Sequence, residues 1–132
     1  MKLLLDTHVF LWSLFSPDKL SETASEAIRS PENDATVSVI TFWEISLKYA
    51  LGKLELTGVQ PEELPYYADQ MNLDTIPITP AQACGFHNLP RITHKDPFDR
   101  MIIWQAIQQK MPLISRDRDF RHYQQFGLQT LW

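Results

Sequence analysis

The first informative stretch is a run of three leucines, Leu3 to Leu5, closed by Asp6. A short apolar run ending on a carboxylate predicts a buried strand over Leu3 to Asp6. Val9 to Phe15 is apolar nearly all round and predicts a helix that Pro17 breaks. Ser21 can cap a second helix with Ala24, Ala27 and Ile28 at helical spacing. After a turn at Pro31 to Asp34, the β-branched stretch Thr36 to Ile40 predicts a second strand. A third helix opens at Thr41 and runs to about Leu51, with Gly52 as its C′ residue. Pro61-Glu62-Glu63 opens a further helix, with proline at N1 and acids in the first turn. Thr75 to Ile78 reads as a strand, Thr79-Pro80 as a helix start, and Asp96-Pro97 as the start of a helix reaching Lys110. Leu113 to Ser115 and Leu128 to Leu131 complete the strands. Strands alternating with helices predict an α/β fold, with a mainly parallel central sheet, helices on both faces and right-handed crossovers. No repeat, low-complexity tract or linker divides the chain, so residues 1–132 read as one domain.

Composition narrows the chemistry. Cys84 is the sole cysteine, which excludes an internal disulfide and a metal–thiolate cluster and fits a reducing cytoplasm. The N-terminal apolar run is too short for a membrane span or a signal peptide. A net charge of −4 argues against a generic nucleic-acid binder. The charge is uneven, however. Residues 91–122 hold seven Lys/Arg against four acids, leaving the rest of the chain at −7. A basic rim round an acidic centre suits a phosphodiester whose cleavage point must meet metal, although charge runs alone specify little.

Four carboxylates fall where such a fold gathers its chemistry. Asp6 ends the first strand, Asp117 follows Leu113-Ile114-Ser115, and Glu44 and Asp99 sit in what read as the first turns of helices. Strand ends and helix starts share one edge of an open parallel sheet. Four acids there repel one another unless a cation neutralises them. Each acid also has a purely structural reading. Asp6 can cap the next helix, Glu44 can complete a capping box with Thr41, Asp99 is favoured at N3 by the helix dipole, and Asp117 can be a turn residue. Asp96 is taken as the cap and Asp99 as the ligand. Asp117 is preferred to Asp119 because it lies nearer the strand end.

The segments Leu3-Leu4-Leu5-Asp6-Thr7-His8, Trp43 to Lys48 followed by Gly52-Lys53-Leu54, His94 to Arg100, and Ser115 to Phe120 together resemble the PIN-domain ribonucleases. Within that family they look most like VapC toxins of type II toxin–antitoxin pairs. The resemblance runs from residue 3 to the C-terminus, with Ser115 standing where a threonine is common. It implies a single PIN-like domain that cuts RNA with Mg²⁺ or Mn²⁺ held by acids, here Asp6, Glu44, Asp99 and Asp117. It also implies a homodimer silenced by a small antitoxin whose tail enters the acidic cleft.

Magnesium prefers oxygen ligands and keeps several waters, which carboxylates without Cys or His satisfy. On this reading Asp6 and Asp99 are the core ligands and Asp117 completes the site or holds a second ion. Glu44 holds a water beside the ion or acts as its base. Ser115 binds a water in the same shell, and Lys95, Arg100 and Arg116 position phosphates. His8, His87, His94 and His122 lack zinc-ligand spacing and read as surface residues or local caps, while Trp12, Trp43 and Trp104 read as core. Three other readings compete: a phosphatase using Asp6 as nucleophile, a non-enzymatic signalling or scaffold domain, and a nuclease of RNA maturation without an antitoxin.

Overall fold

A computed structural model describes residues 1–92 and 96–132. Its centre is one five-stranded sheet in the order β3-β2-β1-β4-β5, with every pairing parallel. The strands are β1 (Lys2–Leu5), β2 (Asp34–Ser38), β3 (Asp74–Ile76), β4 (Leu113–Ile114) and β5 (Thr130–Leu131). The helices are α1 (Thr7–Phe15), α2 (Glu22–Arg29), α3 (Val39–Ala50), α4 (Leu64–Gln70), α5 (Pro80–Gly85) and α6 (Pro97–Gln109). Short 3₁₀ turns join them, and a longer one, Arg118–Phe126, links β4 to β5. Among the described residues no helix is long and apolar enough to cross a membrane.

The leucine run explains why β1 is central. A strand covered on both faces needs apolar residues at every position, since successive side chains point to opposite sides. Leu3 and Leu5 pack into one core with Val9, Phe10, Val37 and Ile45. Leu4 packs into a second core with Ile102, Ile103, Leu113 and Tyr123. The chain moves outward through β2 and β3 on one side of β1, then returns to place β4 on the other. The order therefore reverses between β1 and β4, and such a reversal opens a crevice at the carboxyl ends of the two strands.

Element boundaries shift where caps decide them. The run Thr36 to Ile40 is not all strand: Ser38 ends β2 and caps α3, its Oγ accepting from the Ile40 amide at 3.1 Å. Helix α3 thus starts at Val39, two residues before the expected start at Thr41. Glu44 consequently lies in its second turn, and the capping box with Thr41 does not form. Thr79 does cap α5, exchanging bonds with Gln82 at 3.1 Å in both directions. Asp96 caps α6 by accepting from the amides of Phe98 and Asp99 at 2.8 and 3.1 Å. Of the tryptophans expected in the core, Trp104 is buried and donates to the Gln82 carbonyl at 3.0 Å, and Trp12 is half-buried. Trp43 contradicts the expectation. It is 60% exposed with its ring edge-on to Phe98, because it lies one position on from the inward-facing Phe42 and the helix turns adjacent residues to different faces.

One buried polar knot locks the layers. The fully buried Gln105 accepts from Ser38 Oγ at 2.5 Å and donates to the Pro77 carbonyl and Gln82 Oε1 at 3.1 and 3.2 Å. It thereby ties α6 to the end of β2, the end of β3 and the start of α5. Gln105→Leu leaves two buried polar groups, Ser38 Oγ and Gln82 Oε1, short of a partner, each costing about 1–3 kcal/mol, and frees the Pro77 carbonyl as well. Urea denaturation is expected to show a loss of roughly 3 kcal/mol.

Candidate active site

The crevice between β1 and β4 holds three of the four acids. A cleft of about 350 Å³ is lined by Asp6, His8, Trp12, Asp99, Arg116, Asp117 and Phe120. Asp6 arrives from the end of β1 and also caps α1, one Oδ accepting from the Val9 amide at 2.8 Å. Cap and site are therefore one arrangement rather than alternatives. Asp99 arrives on the first turn of α6, which Asp96 caps. Asp117 arrives after β4 and caps the following 3₁₀ turn through the Asp119 amide at 2.9 Å. Asp119 does not line the cleft, so geometry favours Asp117 of that pair.

Asp6 is 5% exposed. Removal from water is the largest influence on its carboxyl and raises it from 3.8 to about 6. Hydrogen bonds from the Ser115 hydroxyl and the Val9 amide, together with His8, oppose that rise, while the charge of Asp99 adds to it. Ser115 is itself buried and accepts from the Asp117 amide at 3.1 Å, so one hydroxyl braces both Asp6 and the Asp117 turn.

Glu44 stands apart. It is buried and does not line the cleft; Thr7 Oγ1 donates to it at 2.6 Å and Lys48 Nζ forms an ion pair with it. Thr7 Oγ1 also lies 3.1 Å from Thr41 Oγ1. Partial desolvation lowers the Lys48 ammonium, but the bond and charge of Glu44 outweigh it, and Asp96 and Asp99 add to a net upward shift. Lys48 thus lies in the fields of both Glu44 and Asp99. Arg100 was expected to contact phosphate and does not qualify. It is buried, donates to the carbonyls of Leu89 and Pro90 at 3.0 Å each and to the Tyr123 hydroxyl at 3.3 Å, and lies over the Phe86 ring. Its place one residue after Asp99 on α6 turns it into the second core. Arg116 is exposed on the cleft rim. Lys95 and His94 lie outside the described residues.

The sequence reading gave no role to Thr7 or Lys48. The four-residue step from Glu44 to Lys48 was a usable signal for a helical ion pair. His8, expected as a surface residue or local cap, is exposed, lines the cleft and tilts against Trp12 at 5.8 Å.

Among the described residues no three of His, Cys, Asp or Glu stand close enough to form a ready-made cage for an ion. The donor chemistry nevertheless fits a hard cation. Three carboxylates and no thiol line a cleft with room for water, and Mg²⁺ characteristically keeps waters beside one or two carboxylates.

The family model described as PIN domain matches residues 3–125. The chain belongs to the PIN domain family. It is 30% identical to ribonuclease VapC22 of Mycobacterium tuberculosis over 98% of this chain and 97% of that protein. The fold also resembles VapBC2 of Rickettsia felis bound to a promoter DNA fragment, with TM-score 0.65, 14% identity and coverage of 99% and 98%. It resembles FitAcB of Neisseria gonorrhoeae, with TM-score 0.64, 21% identity and coverage of 100% and 97%. At those identities the two structures speak to the fold alone. The PIN arrangement accounts for the acids at the β1/β4 crevice as a property of topology.

Burial of Asp6 has a cost that can be read directly. Between pH 4 and 6 the folded chain holds a proton on Asp6 that the unfolded chain has lost, so stability falls as pH rises through that window. The upward shift corresponds to about 3 kcal/mol at pH 7. Asn at position 6 keeps the helix cap without the charge. In chelator at pH 7, Asp6→Asn is expected to melt higher than wild type by several degrees, with the difference vanishing toward pH 4.

Proposed function

We propose that this chain is a metal-dependent endoribonuclease, the toxin of a toxin–antitoxin pair, acting as a homodimer and silenced by a small antitoxin. The observation that carries the reading is the meeting of Asp6, Asp99 and Asp117 on the walls of one cleft at the point where the sheet order reverses. The relative from M. tuberculosis carries the name ribonuclease, and the structural neighbours include toxin–antitoxin complexes. A protein partner also has a surface to meet. Trp43 and Leu47 on α3 and Leu51 at its C-cap follow at four-residue steps and are 60%, 39% and 60% exposed.

Mg²⁺ or Mn²⁺ would be held by Asp6, Asp99 and Asp117, and would supply charge relief on the phosphate and activation of water. The protein's own groups set the geometry. The Val9 amide and the Ser115 hydroxyl hold the Asp6 carboxylate in place. Lys48, anchored by buried Glu44, offsets part of the negative field that Asp99 adds to the cleft. Glu44 is accordingly a positioning residue rather than the base that acts on water. Arg116 on the rim meets a phosphate oxygen of the bound strand.

RNA cleavage with Mg²⁺ tests this directly. Asp99→Asn keeps the α6 cap, which belongs to Asp96, so the fold survives. The rate is expected to fall by at least about a hundredfold, in line with losing several kcal/mol of charge stabilisation. A folded Asp99→Asn protein cleaving at the wild-type rate would refute the reading.

A further inference from the structure

Beside the acidic cleft lies a larger open groove of about 1040 Å³, lined by Arg116, Arg118, Arg121 and Trp132 among others. The two cavities share Arg116 and Asp117 as a common wall, so the groove is a continuation of the cleft on the β5 side of the sheet. Its charge is opposite to that of the cleft. Three arginines face one lining acid, Asp117, whose position marks the junction. All three arginines are exposed, and among the described residues none of them makes an ion pair. Arg100, by contrast, spends its guanidinium on carbonyls of its own chain. The junction is also aromatic: Arg116 lies over the Trp12 ring, and Trp12 tilts against Trp132 at 6.0 Å between centroids.

We infer that this groove is a binding track for single-stranded RNA leading away from the cleavage point, with Arg118 and Arg121 on successive backbone phosphates. The inference rests on the nuclease reading and adds the path of the substrate to it. Guanidinium groups suit phosphates by their forked geometry. A positive groove beside aromatic rings is the arrangement that holds single strands without reading sequence. The track resolves the puzzle of an acidic chain with a polyanionic substrate. The acids are concentrated where a cation offsets them, and the arginines lie where bare phosphates must rest.

The double variant Arg118→Gln/Arg121→Gln tests the track. Two substrates separate it from the cleft: a single-stranded RNA oligonucleotide, which spans both, and bis(p-nitrophenyl) phosphate, which needs only the cleft. Wild type and variant are compared with Mn²⁺ for cleavage, and in chelator for RNA binding by fluorescence anisotropy across a salt series. The variant is expected to cleave the small phosphodiester as wild type does while KM for RNA rises about tenfold. The slope of log affinity against log salt is expected to flatten by about 0.7 for each arginine removed. An unchanged KM and salt slope on RNA would overturn the track while leaving the nuclease in place. Loss of binding to a glutamate-rich peptide, with RNA affinity unchanged, would assign the groove to an acidic protein segment and overturn it too. Wild-type protein that cleaves neither substrate would defeat the nuclease reading itself.

Discussion

The structure is organised around a carboxylate that the surrounding apolar chain forces out of water. Leu3, Leu4 and Leu5 make β1 the central strand, and a central strand delivers its next residue into the crevice where the sheet order reverses. Asp6 is that residue. Capping α1 fixes its direction, burial raises its proton affinity, and Asp99 raises it further. A carboxylate arranged in this way is under electrostatic strain in the bare protein, and a divalent cation bound beside it would relieve that strain.

The second layer of residues manages the same field. Glu44 is buried with Thr7 and paired with Lys48, which also lies within reach of the charges of Asp96 and Asp99. Charges thus alternate from the deepest carboxylate to the cleft and on to the arginine groove. Packing reinforces this order. The Gln105 knot ties α6, which carries Asp99, to the ends of β2 and β3. Ser115 ties the Asp117 turn to Asp6. Rigid seating of acids on different elements lets a parallel sheet act as a site rather than only as a scaffold.

Much of this was legible from the sequence because β1 and the caps are local signals. A triple leucine run closed by an aspartate fits a strand buried on both faces, and Asp96-Pro97 is a helix start by backbone chemistry. Asp6 at a strand end and Asp99 in a helix's first turn follow from the same local signals. The start of α3 was not legible. Ser38 and Thr41 are both competent caps, Val39 and Ile40 favour strands intrinsically, and only tertiary contacts choose between them. That two-residue shift puts Glu44 in the second turn of α3 rather than the first. Arg100 was misread because a cation next to a site acid looks functional in sequence, whereas helical geometry turns adjacent residues to different faces. The arginine groove depends on β5 closing beside the 3₁₀ turn, a long-range fact that no local pattern contains.

The central claim is that the cleft acids share a cation. Crystals grown with saturating Mn²⁺, analysed by anomalous scattering, test it most directly. The account predicts a peak between the Asp6 and Asp99 carboxylates, with oxygens at about 2.1 Å as for a hard octahedral ion. A well-resolved cleft with no peak, or manganese bound only elsewhere on the surface, would contradict it.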